Sequence, residues 1–162
     1  MAKVRVLFVC MGNICRSPTA HGVFAKLVQE AGLERHVVVD SAGTHAYHVG
    51  EPPDLRAQRS AERRGVDLSR LRARRVSAAD FGQFEYVLAM DRDNLAILEE
   101  LCPPGAVSRP HLFLSYAPGL ENDEVPDPYY GGSQGFERVL DMIEEAARGL
   151  LQDIQLRYLQ DY

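Results

Sequence analysis

Two cysteines five positions apart, with an arginine and a serine directly after the second, form the stretch of this chain best equipped for chemistry: Cys10-Met11-Gly12-Asn13-Ile14-Cys15-Arg16-Ser17. It lies between an apolar run, Val4 to Val9, and a helical pattern that Ser17-Pro18 opens, with the hydroxyl as N-cap and the proline at the first helical position. A helix N-terminus carries partial positive charge and unpaired backbone N–H groups, so the loop leading into it suits an oxyanion. Gly12 and Asn13 tolerate the positive φ angles that turn successive N–H groups inward as a nest. Cys10 faces the same donors, which favour the thiolate, the nucleophilic form of cysteine. Arg16 presents a planar fork that can meet two phosphate oxygens and offset the charge that builds up in a transition state. Ser17 is placed to donate to the departing thiolate as well as to cap the helix. Letters alone also permit a plainer reading, a buried thiol and an unrelated helix arginine; the strand-to-helix setting is what favours a phosphate loop.

That loop needs elements to hold it. Val4 to Val9 reads as a central parallel strand covered on both faces. Ala20, Val23, Phe24, Leu27 and Ala31 share one helix face, and Gly32 ends the helix. Val37 to Ser41 predicts a second strand, Pro53 to Arg64 a second helix stopped by Gly65, Ala78 to Phe81 a turn, and Tyr86 to Met90 a third strand. Asn94 to Leu101 reads as a helix and Leu112 to Leu114 as a fourth strand. Ser133 to about Tyr158 reads as a long closing helix with Phe136, Leu140, Ile143, Ala147, Leu150 and Ile154 inward. Alternating strands and helices argue for an α/β fold, a doubly wound parallel sheet whose ligands sit beyond the carboxyl ends of the strands. Cys10 and Asp127 both fall at that edge.

Composition narrows the function classes. The 162 residues, 46% of them hydrophobic, predict a single domain over 1–162 with its own core. No stretch offers the roughly 20 apolar residues of a membrane span, and the opening MAKVRVLFVC, interrupted by Lys3 and Arg5, reads as a strand and not a signal peptide. Three cysteines do not make a secreted disulfide framework, so a reducing cytoplasm is expected. A net charge of −5 argues against nucleic acid as a partner. The charge is uneven: Arg56, Arg59, Arg63, Arg64, Arg70, Arg72, Arg74 and Arg75 crowd into twenty residues, while charges from Glu121 onward are mostly acidic. The basic stretch reads as a solvated helix face or as a flank attracting anionic protein substrates. His45 and His48 have no cysteine or carboxylate set to complete a zinc site, so they read as loop histidines and no metal or other cofactor is expected.

The motifs together resemble the low-molecular-weight protein tyrosine phosphatases. Val9 to Pro18 is similar to their phosphate loop, Ser41-Ala42-Gly43-Thr44 to its supporting segment, and Asp127-Pro128-Tyr129-Tyr130 to their general-acid loop; Asp80-Phe81 and Met90-Asp91 are weaker matches. The resemblance implies four parallel strands flanked by helices, a flavodoxin-like fold of the phosphotyrosine protein phosphatase I type, no metal, and action in the cytoplasm. It implies Cys10 as nucleophile, Arg16 as phosphate clamp and Asp127 as general acid, although Asp127 on local sequence alone reads as a turn aspartate between two prolines. Asn13, Ser17 and Ser41 would hold the loop's shape. Phosphotyrosyl proteins become the expected substrates and inorganic phosphate the product, with the chain acting as a monomer or weak dimer.

The chemistry follows. Phenolate leaves poorly, its conjugate acid having a pKa near 10, so a proton must arrive as the P–O bond breaks. An ionised Cys10 and a protonated Asp127 are needed together, which predicts a bell-shaped pH profile with an acid-side optimum. Tyr47, Tyr129 and Tyr130 are candidate aromatic walls for a phosphotyrosine ring, with Ile14 as apolar lining. Relatives acting on phosphoarginine tend to carry threonine at the Ile14 position, so the resemblance favours tyrosine phosphate over a protein-arginine phosphatase. Cys15 reads either as a partner for a reversible disulfide with Cys10 or as a small buried residue. Arsenate reductases share the loop, but those coupled to thioredoxin need two further cysteines and only Cys102 lies outside it.

Overall fold

The computed structural model describes residues 3–106, 108–128 and 133–160. In chain order it contains β1 (Val4–Cys10), α1 (Arg16–Glu30), β2 (Val37–Gly43), α2 (Leu55–Glu62), a 3-10 turn (Ala78–Gly82), β3 (Tyr86–Ala89), α3 (Arg92–Leu101), β4 (Pro110–Leu112), a second 3-10 turn (Phe113–Tyr116) and α4 (Ser133–Tyr158). The four strands pair in parallel in the order β2-β1-β3-β4. Parallel neighbours need crossover connections, and α1 and α3 supply two of them. Since β1 pairs with β2 on one side and β3 on the other, successive connections diverge at its carboxyl end, the switch point where ligands bind in doubly wound sheets. Cys10 is the last residue of β1. The doubly wound, flavodoxin-like expectation therefore holds.

Alternation along β1 divides the core. Val4, Val6, Phe8 and Cys10 pack toward α1 and α4, while Leu7 and Val9 pack toward α3 and the first 3-10 turn. Phe8 meets Phe24 of α1 and Phe113 edge-on, with ring centroids 5.8 and 4.9 Å apart, which locks the first helix to the central strand. The six residues of α4 predicted to face inward, from Phe136 to Ile154, are all buried. No helix among the described residues is long and apolar enough to cross a membrane.

Several boundaries differ from the sequence reading. Helix α1 begins at Arg16 with Cys15 as N-cap, so Ser17 is not the cap and Pro18 occupies the third helical position. A proline is tolerated there because first-turn N–H groups have no intrahelical acceptor to lose. Ala31 is exposed at the C-cap, and Leu33 returns to the core instead, its N–H donating to the Val28 carbonyl at 2.9 Å as Gly32 donates to Gln29. Helix α2 is shorter than predicted, because Asp54 caps it by accepting the Arg56 N–H. Strand β4 ends at Leu112; Phe113 and Leu114 are buried through a 3-10 turn, so the apolar run marked burial but not strand geometry.

Candidate active site

The loop from Met11 to Cys15 wraps the carboxyl end of β1 and enters α1. Asn13 adopts φ 59°, the positive-φ conformation for non-glycine residues that occurs nowhere else among the described residues. The turn points its N–H back at Cys10 Sγ, 3.3 Å away. Ser17 Oγ lies 3.0 Å from the same sulfur and accepts a hydrogen bond from Asn13 Nδ2 at 2.8 Å. With that acceptor role filled, the Ser17 proton is available to the Cys10 sulfur or to the Ala42 carbonyl, 3.4 Å away. Cys10 is 3% exposed and Asn13 2%. The sulfur thus sits at a dry floor ringed by donors.

The end of β2 braces this loop through its backbone. Thr44 N–H donates to the Cys10 carbonyl at 2.9 Å and His45 N–H to the Met11 carbonyl at 3.0 Å, while Asp54 N–H reaches the Ile14 carbonyl at 2.8 Å. Gly43 permits the approach: a Cβ there would lie 2.9 Å from the Met11 carbonyl oxygen and 3.2 Å from the Asn13 nitrogen. Ser41, expected to brace the loop by its hydroxyl, instead places Oγ 3.1 Å from His21 Nδ1. Its hydroxyl is engaged with α1, and β2 reaches the loop instead through Gly43 and the Ala42 carbonyl.

Arg16 is buried in the first turn of α1. Its Nη1 donates to Asp91 Oδ2 at 2.6 Å and to the Val125 carbonyl at 3.0 Å, and its Nη2 lies 3.8 Å from Asp127 Oδ2. Burial alone would lower the guanidinium pKa; Cys10, the Asp91 hydrogen bond and Asp127 outweigh it and hold Arg16 above its ordinary range. The same arginine therefore links β1's loop, the end of β3 and the segment carrying Asp127. That segment is tied to the sheet by Val125 N–H, which donates to the Met90 carbonyl at 2.7 Å.

One cleft is lined by Cys10, Met11, Gly12, Ile14, Cys15, Arg16, Tyr47, His48 and Asp127. The candidate nucleophile, clamp and acid thus share a single opening, with Ile14 and Tyr47 on its wall. Tyr47 is exposed and stacks on His45 at 5.0 Å between centroids and 9° between planes. Tyr129 and Tyr130 lie outside the described residues. Cys15 is buried with Ala57 and Phe136, and burial, followed by the nearby charges of Asp54 and Cys10, pushes its thiol far above the ordinary range. Three positions that touch the cleft or its loop have no role assigned from the sequence. His48, read as a loop histidine, lines the cleft with Nδ1 2.7 Å from Glu51 Oε2. Asp91 holds Arg16 from 75 residues away, and Arg74 reaches the loop through its backbone, pairings that no local pattern announces.

The sequence model described as low molecular weight phosphotyrosine protein phosphatase matches residues 5–158. The chain belongs to that family. A low molecular weight phosphotyrosine protein phosphatase from Schizosaccharomyces pombe is 46% identical over 135 residues, 83% of this chain and 86% of that protein. The human protein of the same description is 40% identical over 153 residues, covering 93% and 96%. Among solved structures, a protein tyrosine phosphatase from Entamoeba histolytica with Hepes in the active site superposes with a TM-score of 0.91 at 38% identity, covering 95% of this chain and 98% of that one. In the basic stretch, Arg56 pairs with Asp54, Arg63 and Arg64 with Glu137, Arg64 also with Asp141 and Glu144, and Arg74 with Asp40 and Asp80. Much of the basic segment is matched within the molecule by the acidic face of α4 and by acids beside the sheet.

Proposed function

We propose that this phosphoric monoester hydrolase dephosphorylates phosphotyrosine in proteins through a cysteinyl-phosphate intermediate on Cys10. The observation that carries the reading is the shared cleft: Cys10 at its floor, faced by the Asn13 N–H at 3.3 Å and the Ser17 hydroxyl at 3.0 Å, with Arg16 and Asp127 on the same opening. A phosphate seated in the loop takes hydrogen bonds from the backbone nest and from Arg16, so its charge is met by donors already aimed before it arrives. The Cys10 thiolate attacks phosphorus in line, forming S–P as P–O breaks. Asp127 delivers its proton to the departing phenolic oxygen. The Asp127 carboxylate then takes a proton from water, which attacks phosphorus and releases inorganic phosphate and the thiolate. Ser17 can follow the sulfur through both steps, donating whenever it carries negative charge.

Ring selection rests on the wall. Ile14 offers an apolar surface at the loop and Tyr47 an exposed aromatic face above it, which suits the flat ring of a phosphotyrosine better than a short seryl stem. The test is turnover on phosphotyrosyl, phosphoarginyl and phosphoseryl peptides side by side, with an acid quench to trap phosphate on Cys10. Preference for the tyrosyl peptide and a trapped phosphocysteine that Cys10→Ser abolishes are expected. Equal turnover of the three peptides, or trapped phosphate surviving Cys10→Ser, overturns the reading.

A further inference from the structure

Asn13 is the pivot of the phosphate loop, and both ends of its amide are held. Nδ2 donates to Ser17 Oγ at 2.8 Å, and Oδ1 accepts the backbone N–H of Arg74 at 3.0 Å. Asparagine enters the left-handed region more readily than other non-glycine residues, and these two bonds fix the direction of its amide there. Ser17 belongs to the site itself. Arg74 does not; it reaches the loop from 61 residues away.

The backbone around Arg74 forms a short rung beside the end of β2. Gly43 N–H donates to the Arg74 carbonyl at 2.8 Å, and Val76 N–H returns to the Gly43 carbonyl at 2.9 Å. This rung presents the Arg74 N–H to Asn13. Its anchor is the Arg74 guanidinium, whose Nε and Nη2 donate to Asp40 Oδ2 at 3.2 and 3.0 Å, while Nη1 and Nη2 donate to Asp80 Oδ2 and Oδ1 at 3.1 and 3.2 Å. Asp40 stands on β2; Asp80, 5% exposed, also accepts the Ser77 N–H at 2.8 Å at the start of the first 3-10 turn. A planar fork held by two carboxylates on different elements has little freedom to turn, unlike a single surface pair. Lysine, a point charge on a flexible stem, cannot make the same set of bonds.

We propose that Arg74 is a positioning residue of the phosphate site: its clamp on Asp40 and Asp80 fixes where the Arg74 N–H meets Asn13 Oδ1, and so holds the loop's N–H nest in shape for the anion. Arg74 touches neither substrate nor sulfur in this role. The inference rests on the phosphatase reading, because it assigns the nest to phosphate.

The experiment is calorimetric titration with inorganic phosphate, alongside thermal unfolding, of the wild type, Arg74→Met, Arg74→Lys, Asp40→Asn, Asn13→Ala and the Asn13→Ala/Arg74→Met double variant. Arg64→Met, which breaks a cluster with Glu137, Asp141 and Glu144 away from the loop, controls for lost ion pairs as such. Expected is phosphate binding weaker by about tenfold in Arg74→Met, as small misplacements of a preorganised site produce, with Arg74→Lys recovering only part of it. Asp40→Asn weakens binding in the same direction. Arg64→Met lowers the melting temperature without changing phosphate affinity. In the Asn13→Ala background Arg74→Met costs no further affinity, since the link it acts through is gone. Wild-type phosphate affinity in Arg74→Met, whatever its melting temperature, overturns the proposal, as does additivity with Asn13→Ala. Should Arg74→Met not fold, unchanged affinity in Asp40→Asn and Arg74→Lys overturns it equally. A wild-type protein that binds no phosphate removes the phosphatase reading itself, and the clamp's role with it.

Discussion

Arg16 and Asp91 meet at 2.6 Å across 75 residues of chain, and the same carboxylate accepts the Asn94 N–H at 2.8 Å as the N-cap of α3. One side chain thus starts a helix and holds the arginine proposed to clamp phosphate. The two roles separate by substitution, because asparagine caps a helix about as well as aspartate but carries no charge for the guanidinium. Asp91→Asn is expected to keep the melting temperature close to wild type while kcat/KM falls about tenfold through a loosened Arg16. Asp91→Ala loses the cap as well and costs about 1 kcal/mol more in stability. Thermal unfolding and steady-state kinetics on an aryl phosphate read both. A loss of activity tracking the loss of cap in both variants would show that Asp91 serves the helix alone.

Asp127 lies 3.8 Å from Arg16, a third exposed, and lines the same cleft as Cys10. An acid matters in proportion to the basicity of what departs. Asp127→Ala is therefore expected to slow hydrolysis of phenyl phosphate by roughly 10²- to 10⁴-fold, and to matter far less for a nitrophenyl-type leaving group that departs without protonation. A Brønsted plot of kcat/KM against leaving-group pKa should steepen in the variant. Parallel lines for variant and wild type would remove Asp127 from the acid role.

The parts legible in the sequence are those set by short-range patterns. The apolar run of β1, the glycine after α1 and the long amphipathic face of α4 each depend on neighbours within a few turns, and each appears where expected. The loop was legible because the proposed nucleophile, the turn residues and the proposed clamp lie within eight consecutive positions. What failed depended on partners far along the chain. The Ser41 hydroxyl meets His21 of α1, and Phe113 and Leu114 enter the core in a 3-10 turn and not in a strand. Asp91 and His48 reach the site, and Arg74 reaches the loop that forms it, only after the sheet has brought β2, β3 and the loops together, and neither periodicity nor spacing carries that information.

His21 supplies a pH-dependent element of stability. It faces Ser41 Oγ from α1, and burial, partly offset by Asp40, pushes its pKa below the ordinary 6.5. As pH falls through 6.5 the unfolded chain takes up a proton that folded His21 refuses, so stability is full above that value and declines toward the folded pKa. The melting temperature should fall as pH drops below about 6.5, and His21→Gln should flatten that part of the curve. An identical slope in the variant would mean that other groups set the acid limb.

His48 lines the cleft beside the loop. Its ring packs so close over the loop that a Cβ on Gly12 would lie 3.0 Å from His48 Cδ2, and its Nδ1 is engaged by Glu51 Oε2 at 2.7 Å. With Nδ1 occupied, the Nε2 edge is the one left to meet whatever follows the phosphotyrosine ring out of the cleft. His48→Ala is therefore expected to raise KM for a phosphotyrosyl peptide by roughly 2- to 10-fold, the worth of one hydrogen bond, while kcat on a small aryl phosphate stays unchanged. Glu51→Gln should give a smaller effect in the same direction, because the ring loses its charged anchor but keeps a hydrogen-bonding neighbour. Steady-state kinetics on both substrates separates the outcomes: an equal change on peptide and aryl phosphate would place His48 in support of the loop and not in recognition of the chain beyond the ring.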